Sequence, residues 1–163
     1  MSSRAEARYR IEASNWQPRA IKVIALDRPS EAVVMRLARL TWNRAVFLTT
    51  SAFAGAPASG ATFCVSGWLS DLAGRTKDLI DEIASADLVV MIATAGENAQ
   101  AASLIGEACA ARHVMTTGLV LGTATASDAA LSKALGQLRP YSGMLVAAGD
   151  EDYIEDMLVA LRA

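Results

Sequence analysis

Six consecutive residues, Leu88-Val89-Val90-Met91-Ile92-Ala93, carry no polar side chain and show no alternation. A strand with one wet face would alternate. A run this apolar and rich in β-branched residues needs cover on both faces, the condition of an inner strand in a parallel α/β sheet. The rest of the chain fits that sheet. Further β-rich runs stand at Ile21-Lys22-Val23-Ile24-Ala25-Leu26, at Ala45-Val46-Phe47-Leu48-Thr49-Thr50, and over residues 115–121 and 144–148. Thr62-Phe63-Cys64-Val65, short and flanked by breakers, reads as a further strand at the sheet edge. Between the runs lie stretches of helical spacing. Asp27-Arg28-Pro29-Ser30 is a turn-and-cap sequence before a helix in which Ala32, Val33, Leu37 and Leu40 recur. Residues 69–85 read as one long helix with Leu72, Leu79, Ile80 and Ile83 inward, and further helices are predicted over 98–112, 128–138 and 151–161.

Alternating strands and helices favour right-handed crossovers. The predicted fold class is α/β: a three-layer αβα sandwich with a mostly parallel, doubly wound sheet of about six strands, Rossmann-like. Residues 1–18 lack a clear period and end in Gln17-Pro18, so they read as an N-terminal leader ahead of a single α/β domain over 19–163. A chain of 163 residues with 53% apolar and 6% aromatic content suits one domain with aliphatic helix-on-sheet packing.

Charge narrows the partners. A formal net charge of -2 supplies no basic field for nucleic acid, and the leader's Arg4, Arg8 and Arg10 are interleaved with Glu6 and Glu12. No segment has the unbroken apolar length of a membrane span or of a signal peptide's apolar core, so a cytoplasmic protein without membrane contact is expected. Cys64 and Cys109 stand outside any metal-ligand or Cys-x-x-Cys spacing and read as buried thiols.

A ligand in such a fold lies beyond the carboxyl ends of the strands, at the switch point of strand order. Those ends carry Asp27, then Thr50 and Ser51, then Thr94, Gly96, Glu97 and Asn98, then Thr123, Thr125 and Ser127, then Gly149 and Asp150. Hydroxyls and backbone N–H groups at helix starts can hold a small anion, but the same residue types are the ordinary caps of helices. Capping accounts for Asp27 and Ser127. The candidate ligand-binding set is Thr50, Ser51, Thr94, Gly96, Glu97, Asn98, Thr123 and Ser127. Glu97 opposes an anion at that turn. No catalytic residue is defined, no cofactor is specified and no metal is expected. The single histidine, His113, stands four residues after Cys109, which is two ligands where zinc needs three or four; Gly-x-Ser-x-Gly is missing; and the acidic cluster Asp150-Glu151-Asp152 reads as a helix start.

The order of segments resembles the nucleotide-binding domain of the tubulin/FtsZ family. The resemblance runs through Ile21-Lys22-Val23-Ile24, Val33-Val34-Met35-Arg36-Leu37 and Phe47, through Gly74-Arg75 and Ala86-Asp87-Leu88-Val89, and through residues 131–150. It implies a nucleotide site on two glycine-rich loops. Here the first of these corresponds to Ala25-Leu26-Asp27-Arg28-Pro29-Ser30-Glu31, without glycine, and the second to Thr94-Ala95-Gly96-Glu97-Asn98-Ala99-Gln100, with one. The sequence also ends where that family's second domain would begin, so the loop that completes hydrolysis in a neighbouring subunit is expected to be missing. A second similarity is to the sugar isomerase (SIS) fold. Residues 87–98 match the spacing of its Asp-to-Ser-x-Ser-Gly-Glu-Thr strand and loop, with Gly96 and Glu97 in place but Ala93 and Ala95 at the two serines.

Together these imply a degenerate nucleotide-binding-like domain acting through self-association or a protein partner, without GTPase activity. The alternative is a binding protein or enzyme for a small phosphorylated or carboxylated ligand at the loop after the fourth predicted strand, the apolar run 88–93. Trp16, Trp42 and Trp68 are the large aromatic anchors; Trp16 in the leader and Trp42 at a helix end point to a homodimer interface or to pinning of the leader.

Overall fold

The computed structural model describes residues 17–50, 68–72, 75–149 and 152–163. Five parallel strands form the body of the sheet: β1 (Ile21–Ala25), β2 (Ala45–Thr49), β5 (Leu88–Thr94), β6 (Met115–Leu121) and β7 (Met144–Ala147). An antiparallel hairpin, β3 (Trp68–Asp71) and β4 (Thr76–Asp78), extends it beyond β2, giving the order β4-β3-β2-β1-β5-β6-β7. Helices α1 (Arg28–Leu37) and α5 (Asp152–Leu161) cover one face; α2 (Leu79–Ala84), α3 (Ala101–Arg112) and α4 (Asp128–Leu138) cover the other. This is the predicted three-layer αβα sandwich, and β5 is the doubly covered strand its composition demanded: Leu88 to Ala93 are all buried. The strand pleat divides β1 between the layers. Ile21, Val23 and Ala25 pack with Val33, Val34, Leu37, Ile154 and Leu158, whereas Ile24 packs with Ile83, Ile105, Cys109 and Leu138.

Strand order reverses between β1, whose chain continues outward to β2, and β5, which starts the march toward β7. The switch point therefore lies between the carboxyl ends of β1 and β5. Helix α1 begins there because Asp27 and Ser30 form a reciprocal cap. The Ser30 N–H donates to Asp27 Oδ1 at 2.8 Å, and the Asp27 N–H donates to Ser30 Oγ at 3.2 Å. Pro29 sits in the first turn, where a missing N–H is harmless.

The helix predicted over 69–85 is instead the β3–β4 hairpin followed by the short α2. Its leucines had the spacing of one helical face, but Leu69 belongs to the core under α2 and α3 and Leu72 to the opposite layer. Two aspartates favour the hairpin by bonding backbone that a helix would use. Asp71 Oδ1 accepts the Arg75 N–H at 2.8 Å, and Asp78 Oδ1 caps α2 by accepting from Ile80 N–H at 2.8 Å. Helix α3 starts at Ala101 rather than at 98, because Asn98 Oδ1 accepts the Gln100 N–H at 3.1 Å in a local turn. The edge strand expected at 62–65, the leader with Trp16, Ser51 and Cys64 lie outside the described residues. Trp42 is an intrachain anchor: its Nε1–H donates to the Leu37 carbonyl at 2.7 Å, and its ring lies 6.0 Å from that of Phe47. Among the described residues no helix is long and apolar enough to cross a membrane.

Candidate functional site

Asp27 leaves the end of β1 as the N-cap of α1, where the helix dipole favours a carboxylate. Its side chain is buried and reaches across the switch point to the end of β5. Oδ2 accepts the Thr94 N–H at 2.6 Å and Oδ1 accepts the Thr94 hydroxyl at 3.0 Å, in addition to the Ser30 N–H. Two backbone N–H groups and one hydroxyl thus converge on one anion, the arrangement by which doubly wound folds hold a phosphate oxygen. The anion here is part of the chain. Sequence reasoning found the cap but not this cross-loop bond, which joins residues 67 apart.

The hydroxyl of Thr50, at the end of β2, donates to the carbonyls of Ala25 and Leu26 at 3.1 and 3.2 Å, stitching the β2 loop to β1. Gly96, at φ +94°, makes the turn after β5 in a backbone region open to glycine, and the Glu97 N–H closes that turn on the Thr94 carbonyl at 3.1 Å. Glu97 and Asn98 are exposed. Ser127 caps α4 by accepting the Ala130 N–H at 3.3 Å, and Thr123 stands on the β6 loop beside Gly149.

A crevice of about 900 Å³ opens beside the switch point. Thr50 and Asn98 are the members of the sequence-derived set in its wall, joined by Leu26, Gln100, Ser103 and Gln137. Thr94, Gly96, Glu97, Thr123 and Ser127 are not part of that wall. Gln137 was not anticipated from sequence. Its Oε1 reaches from α4 to accept the Ala99 N–H at 3.0 Å, a partner chosen by tertiary packing alone. Cys109 is fully buried in α3, and desolvation pushes its thiol up to about 12, so it is no nucleophile at neutral pH. His113 ends α3 in the left-handed conformation at φ 56°.

What the fold and the crevice define is a doubly wound, Rossmann-like α/β domain with an internal carboxylate at its switch point. No family model matches the chain, and no curated protein matches it.

Proposed function

We propose that the chain is a degenerate relative of nucleotide-binding α/β domains, akin to the tubulin/FtsZ domain in its order of segments, that acts by associating with itself or with a protein partner and has no GTPase activity. One observation carries the reading: Asp27 takes the donors, Ser30 N–H, Thr94 N–H and Thr94 Oγ–H, that a phosphate would need. A phosphate at that place would meet a carboxylate, and like charges in a low-dielectric pocket repel strongly. Association is supported by β7, whose outer edge is paired with no strand among the described residues and whose four residues, Met-Leu-Val-Ala, include no charge or proline to blunt it. A symmetric dimer to which the leader and Trp16 contribute follows from this reading. Purified chain is expected to carry no nucleotide, to turn over no GTP, and to behave as a stable oligomer in light scattering. Measurable GTP turnover overturns the proposal.

The crevice beside the switch point favours a second reading, a protein that binds a small phosphorylated or carboxylated ligand through Thr50 and Asn98. A ligand at a hundred times its dissociation constant stabilises the fold by about 2.7 kcal/mol. A thermal-shift panel of nucleotides and sugar phosphates tests it, and a panel in which no compound moves the transition removes it.

A further inference from the structure

At the opposite pole of the sheet, where β6 and β7 begin, lies a groove of about 830 Å³ with predominantly apolar walls. Arg19, Glu107, Met115, Tyr141, Met144 and Leu161 contribute to those walls. Met115 is 58% exposed and Met144 44%, although methionine is ordinarily a core residue. Two exposed methionines in one wall form an adaptable apolar surface suited to taking up a large side chain.

The course of the chain shows what reaches this surface. The Arg19 N–H donates to the Arg162 carbonyl at 3.0 Å, and the Ala20 N–H donates to Asp87 Oδ2 at 2.8 Å, so the path into β1 is fixed beside the end of α5. Arg19 itself forms part of the groove wall. Trp16 is three residues upstream, within about 11 Å even for fully extended backbone. The switch-point crevice is farther away by the whole of β1, five residues or about 17 Å. Residues 1–16 supply Tyr9, Ile11 and Trp16 as large apolar groups, and three arginines, Arg4, Arg8 and Arg10, against two glutamates, Glu6 and Glu12. Glu107 on the groove wall is a partner for one of these arginines, and Arg19 for one of these glutamates.

We infer that this groove is the docking site of the chain's own residues 1–16, with the Trp16 indole seated against Met115 and Met144. A tether of two residues gives Trp16 a local concentration that a second chain's leader cannot match, so seating occurs within one chain. A leader seated there lies next to the first residue of edge strand β7 and is placed to contribute to the proposed dimer. Seating in cis does not require that dimer.

The test is methyl NMR of the full chain carrying 13C-methyl methionine, compared with full-length Trp16→Ala and with a Trp16→Phe variant. The Met115 and Met144 methyls, assigned through Met115→Leu and Met144→Leu, are expected to be shifted upfield by the indole ring current. Trp16→Ala should abolish the shift and Trp16→Phe should reduce it. Met35, 45% exposed on α1 and not part of the groove wall, should not move in either variant, which reports that the fold is intact. The shifts should be independent of protein concentration. Methyl positions that are the same with and without Trp16 overturn the inference. Shifts that fade on dilution also overturn it, because they assign the groove to a segment of a second copy.

Discussion

Replacing Asp27 by alanine removes the α1 cap and the bond between the β1 and β5 loops in one step. Loss of an N-cap acceptor costs about 1 kcal/mol. The Thr94 N–H, left facing an apolar methyl in a partly buried position, adds about 1–3 kcal/mol. Asp27→Ala should therefore lose about 2–4 kcal/mol, a large share of the roughly 5–15 kcal/mol by which a domain is stable. Asp27→Asn should not restore it, because both carboxylate oxygens accept from N–H groups and an amide can turn an oxygen to only one of them. The vacated donors should also accept an external anion. Inorganic phosphate stabilises proteins in general by exclusion, so the informative quantity is the difference between the two chains in urea denaturation followed by circular dichroism. Phosphate should raise the stability of Asp27→Ala more than that of the parent. A variant within about 0.5 kcal/mol of the parent, the ordinary range of a surface substitution, and with the same phosphate response would mean that Asp27 does not hold the two loops together.

Other perturbations have signs fixed by the packing. At Gly106 an added Cβ would lie 2.4 Å from Tyr141 Cβ, whereas at Gly136 it meets nothing within 4 Å. Gly136→Ala should thus stabilise α4 by up to about 1 kcal/mol, and Gly106→Ala, overpacked, should destabilise by about 1–3 kcal/mol before a similar propensity gain is set against it; denaturant midpoints decide. Lys22 is buried with its Nζ 2.7 Å from Glu82 Oε2, so Glu82→Ala, which strands the ammonium, should cost up to about 3 kcal/mol, whereas Lys22→Met with Glu82→Leu should cost far less in the same assay. The Cys109 thiol is held at about 12 in the folded chain against 9.0 for the free group. Its contribution to stability is complete below pH 9 and is lost between 9 and 12, so Cys109→Ala should flatten the alkaline fall in stability. At pH 8 the Cys109 peptide should be alkylated only as fast as the chain opens, which peptide mapping would measure.

The central sheet was legible because its signal is local. The unbroken apolar run at residues 88–93 has no other home than a doubly covered strand, and Asp27, Pro29 and Ser30 stand at the spacing of a helix start. The β3–β4 hairpin was not legible, since the positions of Leu72, Leu79 and Ile83 satisfy a helical period as well and only pairing with β2 separates the two. The candidate site was legible as a place but not as a state. Sequence put Thr94 at the strand end and Asp27 at a cap, and nothing local could say that the two meet across the switch point. The same limit hid Gln137 and the common groove of Met115 and Met144, which takes shape only when β6 and β7 pair.

Two things are proposed of this domain: its own carboxylate fills the switch point, and it works by association. Mass spectrometry of the intact, natively sprayed assembly tests both parts at once. The predicted result is an even-numbered assembly whose mass is a whole multiple of the bare chain, with no nucleotide attached; a monomer that retains a nucleotide would contradict it.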